Sequence, residues 1–210
     1  CALSEAKGMD ITMKIYDISQ EVFGSKVFPG DPAPGMQAVM RIAEGGKCNL
    51  SAFSMCAHNG THVDAPFHFY ENGKTIEETD LERYIGIAYV AAHEGVVTAN
   101  DAISILEKAR ETDRRSRKRI LIKGKAVVSL EAAKVFAEAG ILLLGNESQT
   151  VGPEEDSREV HLQLLGAEVT LLEGIRLGEV EEGVYFLNAA PINLGGVDGA
   201  PCRAVLVELG

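Results

Sequence analysis

Three of the chain's five histidines fall within one stretch, AHNGTHVDAPFHF, spanning residues 57–69. They are His58, His62 and His68, and Asp64 sits among them. Imidazole and carboxylate are donors that divalent metals accept from protein, so these four residues are candidate ligands or proton carriers. All four positions are even, as are Gly60 and Pro66. An extended chain turns such residues to one face, and Val63, Ala65, Phe67 and Phe69 to the other.

Distance limits that picture. In a straight strand His58 and His62 lie roughly 13 Å apart, whereas two ligands of one ion need donor atoms about 3 to 4 Å apart. His62 and Asp64, about 6.6 Å apart by the same rise, converge by leaning; His58 needs a bend. Asn59-Gly60 is a turn dipeptide, and Gly60 can take the positive φ a bend requires. A helix would also bring His58 and His62 together, but Gly60, Thr61, Val63 and Pro66 oppose one. The glutamate of the helical H-E-x-x-H motif is absent too. The expectation is a bent extended segment with Pro66 stiffening its exit. A set of unrelated surface histidines is the plain alternative, and it leaves the Gly and Pro punctuation unexplained. Cys56, two residues before His58, reads as a small buried apolar side chain rather than a ligand.

The elements that must position this stretch read as α/β. A chain of 210 residues, 46% hydrophobic and 24% charged, builds one domain with a real core. Residues 1–12 read as a tail and 13–210 as the domain. Lys14 to Ser19 alternates like a strand, and Asn49 to Ala57 should be a strand leading into the histidine segment. Ile87 to Ala92 and Ile120 to Lys123 are further strands. Asn100 is the expected N-cap of a helix from Asp101 to about Glu111, with Ala102, Ile103, Leu106 and Ala109 on its apolar side. Ser129 caps a second helix, Leu130 to Ala139, stopped by Gly140. Ile141 to Leu144 fits a strand covered on both faces. Asp156 and Glu159 have capping-box spacing for a third helix through Gly166, and Glu168 to Leu172 is a strand. The alternation implies some parallel pairing.

A net charge of −11 argues against nucleic acid or an anionic membrane as partner. The basic run Arg114-Arg115-Ser116-Arg117-Lys118-Arg119 reads as a solvated loop, and no apolar run approaches the ~18 residues of a membrane span. Four cysteines without C-x-x-C spacing suit reduced thiols in a cytoplasmic protein. His93 reads as a surface histidine. The proline-rich stretch KVFPGDPAPG, residues 26–35, serves equally as a rigid rim over a site or as an ordinary connection.

HNGTHVDAPFHF resembles the H-x-G-T-H-x-D-x-P-x-H signature of the metal-dependent hydrolases of the cyclase family, which include bacterial kynurenine formamidases. VHLQLLGAEVTLLEGIRL, around His161 and Glu173, is similar to that family's second block, and DGAPCRAVLVE to its final strand. The resemblance implies a single domain with a mixed, barrel-like sheet and flanking helices, of the swivelling β/β/α type. It implies two divalent ions per chain, zinc first, with manganese or iron as alternatives. His58, His62 and Asp64 would hold one ion; Asp64 and Glu173 would bridge to a second that His161 completes. His68 would remain unligated as general acid/base, and Phe28 would stand where the formamidases have a substrate-holding Trp.

The implied function is hydrolysis of an aryl formamide such as N-formylkynurenine to the aromatic amine and formate by metal-activated water, in a homo-oligomer, dimer or tetramer. Opening of a cyclic amide or lactone, as in isatin-hydrolase-like relatives, is the alternative within the same chemistry. A metal-binding protein without turnover is the alternative outside it.

Overall fold

The computed structural model describes residues 13–209; the tail expected over residues 1–12 lies outside them. In chain order the strands begin with β1 (Met13–Asp17), β2 (Gly35–Met40), β3 (Leu50–Ser54) and β4 (His62–Asp64). β5 (Ile85–Ala92) and β6 (Gly95–Val97) precede helix α1 (Ala99–Thr112). β7 (Arg119–Lys123), β8 (Ala126–Val128) and helix α2 (Leu130–Glu138) follow. Then come β9 (Leu143–Asn146), helix α3 (Arg158–Gly166) and β10 (Thr170–Glu173). β11 (Gly183–Asn188), β12 (Gly199–Pro201) and β13 (Val205–Leu209) end the described chain.

Nine of these strands form one sheet, in the order β1-β13-β11-β5-β7-β9-β10-β4-β12. Its centre, β5-β7-β9-β10, is parallel, and both flanks are antiparallel. The central strands carry apolar runs on both faces because each face has its own core. Ile120 and Ile122 face one side with Leu144 and Leu171, while Leu121, Leu143 and Leu172 face the other. On the first side the three helices cover the sheet through Ala102, Leu106, Phe136, Val160 and Leu164. The second side closes on itself: Ile18, Tyr84, Leu187 and Leu206 meet Leu121 and Leu172 with loop residues Ile76, Ile175 and Leu177. The sheet is thus curled, as a mixed barrel-like core requires. None of the described helices is long and apolar enough to cross a membrane.

The structure corrects several local expectations. Thr98, not Asn100, caps α1: its hydroxyl accepts from the Asp101 N–H, and the Asp101 carboxylate accepts in return from the Thr98 N–H at 2.9 Å. Ile103 is 45% exposed and Ile105 takes its place in the core. Ser129 caps α2 as expected, but α3 starts at Arg158, behind Ser157, with no side-chain cap. The basic run is solvated only in part. Arg119 opens β7 at 5% exposure and donates to the carbonyls of Arg83, Ile87 and Glu82. Its guanidinium lies over Gly86, where an added Cβ would stand 2.6 Å from Nη1.

Candidate metal centre

The histidine segment bends where the sequence predicts. The Asn59 side chain accepts from the Cys56 N–H at 2.8 Å, and Gly60 has φ 69°, a conformation that costs glycine little. β3 has already ended at Ser54, so His58 arrives from a turn rather than from a straight strand. His62 and Asp64 then lie on β4 with their side chains on the helix-covered side, while Val63 enters the opposite core. Glu173 is the register partner of His62 across the β4–β10 pair. His161 comes down from α3, whose Val160, Leu164 and Leu165 anchor it to the same side.

These residues converge without satisfying one another. His62 Nε2 stands 3.5 Å from Asp64 Oδ1 and 3.4 Å from Glu173 Oε2. His161 Nε2 stands 3.3 Å from Glu173 Oε1 and 3.7 Å from Asp64 Oδ2. Such separations exceed a normal hydrogen bond but match donors arranged around an ion at bonds near 2 Å. Asp64 Oδ2 is buried with no hydrogen-bond partner. The far nitrogens are tied down: His62 Nδ1 donates to the Gly60 carbonyl at 3.1 Å, and His161 Nδ1 to the Ser157 carbonyl at 2.9 Å. Each ring therefore presents Nε2 to the carboxylates, the outer support that metal-ligating histidines commonly have. The Val151 N–H orients Glu173 through Oε1 at 2.8 Å. An orphaned carboxylate oxygen and two backbone-anchored imidazoles fit divalent metal.

His58 completes one side. Its Nδ1 lies 3.0 Å from Asp64 Oδ1, and its Nε2 lies 2.8 Å from Asp198 Oδ2. Burial opposes its charge, but the Asp64 and Asp198 carboxylates outweigh that and hold the imidazole up to about 11. His161 is likewise held up to about 9, against burial, by Glu173. Burial acts against the Asp64 charge too, yet the imidazoles keep its carboxyl well below the usual range.

His68 sits in a short turn, Pro66–His68, with Nδ1 3.0 Å from Asp198 Oδ2. Two geometric clusters result: His62, Asp64 and Glu173 in one, and His58, Asp64 and His68 in the other. Beside them is a cavity of about 180 Å³ lined by Phe28, Asp31, Phe69, Gln149, Thr150 and Ser157 along with the site histidines and Glu173. Phe28 is therefore at the site. Phe69 corrects an expectation: parity turned it away, yet it stacks on His161 at 4.8 Å and meets His68 edge-on at 4.7 Å. The helical turn at Pro66 breaks the two-residue alternation. Cys56 is half-buried, with Sγ 3.7 Å from Asp31 Oδ2, rather than buried in the core.

A model of the Cyclase family, described as "Putative cyclase", matches residues 9–153. The chain belongs to the Cyclase family. Among its relatives, the kynurenine formamidase of Erythrobacter litoralis is 31% identical, over 93% of this chain and 94% of that protein. The kynurenine formamidase of Bacillus anthracis is 32% identical, over 93% and 98%. A solved structure of a potential metal-dependent hydrolase with cyclase activity is similar at 28% identity and a TM-score of 0.78, over 93% of this chain and 98% of that one. Isatin hydrolase A from Labrenzia aggregata shares the fold, at 19% identity and a TM-score of 0.79, over 94% of each chain. This Cyclase-family chain is a metal-dependent hydrolase of that family. Its Asp198 was singled out in the sequence only as part of the closing strand motif; two histidines sharing its oxygen give it a place in the site.

Proposed function

We propose that the chain hydrolyses an aryl formamide, of the kind exemplified by N-formylkynurenine, to the aromatic amine and formate. The observation that carries this is the convergence of buried Asp64 and Glu173 with His62 and His161 around the unpartnered Asp64 Oδ2, beside a histidine–carboxylate pair. The similarity to curated kynurenine formamidases over 93% of the chain supports the substrate. His58, through Nδ1, His62 and Asp64 would hold one divalent ion. Asp64 and Glu173 would bridge to a second, held also by His161. Zinc suits this donor set first, and manganese or iron also fit. Two such ions supply Lewis acidity, polarising a carbonyl and acidifying water at neutral pH.

The chain's own residues do the rest. With the Nδ1 proton of His68 given to Asp198, Nε2 is the atom free to exchange a proton with the substrate. It delivers that proton to the departing anilide nitrogen, which would otherwise leave as an amide anion. Asp198 fixes the tautomer and stabilises the imidazolium that forms between the two proton transfers. Phe28 offers an aromatic face to the substrate ring. Glu173, held by the Val151 N–H, keeps its place while charge changes nearby.

A second reading, opening of a cyclic amide or lactone, is favoured by one observation: about 180 Å³ is small against the usual ligand pocket of roughly 300–1,000 Å³. A hydrolysis screen of N-formylkynurenine, isatin and simple lactones on the metal-loaded protein separates the two. Turnover of the formamide supports the first reading, and turnover confined to cyclic substrates replaces it with the second.

The proposed homo-oligomer is supported by the β2–β3 hairpin, which stands clear of the sheet with Met36 at 60%, Val39 at 54% and Phe53 at 63% exposure. A cytoplasmic setting is proposed on the free thiols of Cys48, Cys56 and Cys202.

A further inference from the structure

The rim of the site is a single tight turn, Phe28-Pro29-Gly30-Asp31. The Asp31 N–H donates to the Phe28 carbonyl at 3.0 Å, and Gly30 has φ 98°. Proline second and a positive-φ glycine third are the residues a type II turn demands. Such a turn fixes its first and last residues within about 7 Å of each other. Here those residues are an aromatic ring and a carboxylate, both half-buried and both lining the site cavity.

The Asp31 carboxylate has little to neutralise it. Among the described residues its hydrogen-bond partner is the Cys56 thiol, a weak donor at 3.7 Å, and none of the described ion pairs includes it. Among the described residues no lysine or arginine lines the cavity. Asp31 belongs to neither His/carboxylate cluster, so its place is not that of a ligand to the proposed ions. The imidazoles that line the cavity, His58 and His161, pair with Asp64, Asp198 and Glu173 rather than with Asp31, and a partly desolvated carboxylate that no cation pairs is costly unless something that enters supplies one.

We propose that Asp31 is a specificity-determining residue that binds a protonated amine on the substrate, while Phe28 takes the substrate's aromatic ring. This deepens the formamidase reading and rests on it: the substrate class becomes an aromatic amide carrying an ammonium group. A neutral bicyclic ring leaves Asp31 unpaired. The rigid turn then selects on the spacing between ring and ammonium as well as on their presence.

The test compares wild type with Asp31→Asn, which keeps shape and removes charge. With N-formylkynurenine the variant should show KM raised about 10- to 100-fold, the range for losing a charge-assisted hydrogen bond. Its kcat should be nearly unchanged, because the contact exists in ground and transition states alike. With the same molecule lacking only the amine, wild type and variant should have equal KM. An equal loss on both substrates, or no loss on either, overturns the proposal. A second arm needs no turnover: calorimetric binding of 2-phenylethylammonium against neutral 2-phenylethanol. Wild type should prefer the cation and Asp31→Asn should not; absence of any preference in wild type overturns the proposal. If wild type hydrolyses neither formamide, the formamidase reading fails, and the calorimetric arm still decides the role of Asp31.

Discussion

His68 Nδ1 lies 3.0 Å from Oδ2 of Asp198, although the two are 130 residues apart in sequence. The same oxygen accepts from His58 Nε2 at 2.8 Å. One carboxylate oxygen therefore supports both a proposed metal ligand and the proposed proton carrier. These hydrogen bonds, from His58 and then His68, hold the Asp198 carboxyl well below its ordinary range, so it is an anion throughout working pH.

Asp198→Asn should separate charge from shape. At saturating metal, kcat should fall roughly 10- to 100-fold, the usual scale for losing an outer-shell partner. Metal affinity should weaken as well, because His58 loses the same acceptor. Steady-state kinetics with metal titrated in excess checks both, and wild-type kcat in the variant would remove Asp198 from the mechanism.

His68→Ala should retain its metal while kcat falls about 10²–10⁴-fold, the scale of a general acid/base. Elemental analysis alongside kinetics is decisive here. Since His68 also lies in a geometric cluster with His58 and Asp64, loss of an ion in this variant would make it a ligand instead.

Metal binding should release protons. In the metal-free protein the His58 imidazole is held up to about 11 and His161 up to about 9, so both carry an extra proton at pH 7. Ligation requires the neutral ring, so each must lose one on loading. Affinity should therefore rise with pH above neutrality until those groups titrate. Calorimetry in buffers of different ionisation enthalpy should report about two protons lost per chain; no buffer dependence would contradict this account.

Much of this was legible in the sequence, and the failures share a cause. The two-residue alternation of His62 and Asp64 and the Asn59-Gly60 bend that brings His58 to them could be read in advance, because strand geometry and glycine conformations are local. Phe69 was turned the wrong way, because the Pro66–His68 turn interrupts the period just before it. Ile103 was put on the apolar side of α1, although Ala102, Ile105, Leu106 and Ala109 are the set with the i, i+3, i+4, i+7 spacing of one helix face. Asp198 and the buried Arg119 owe their roles to partners distant in the chain, which periodicity cannot supply.

Arg119 makes one such long-range arrangement testable. Gly86 has φ 145°, and an alanine methyl there would meet the Arg119 guanidinium at 2.6 Å. Gly86→Ala should cost about 1–3 kcal/mol of stability, lowering Tm by roughly 2–4 °C per kcal/mol for a chain of this size. Metal content should not change. An unchanged melting curve would show that the guanidinium yields without loss.

The account turns on Asp64 as a carboxylate shared, with Glu173, between the two proposed ions. Elemental analysis of wild type and Asp64→Asn, both purified without a metal-chelating column and loaded identically, tests this most directly. Wild type should hold about two divalent ions per chain, as two-metal hydrolases do, and Asp64→Asn should hold almost none, with circular dichroism confirming that it is folded. A folded Asp64→Asn protein that keeps its full metal content would contradict the bridge, and with it the two-ion site.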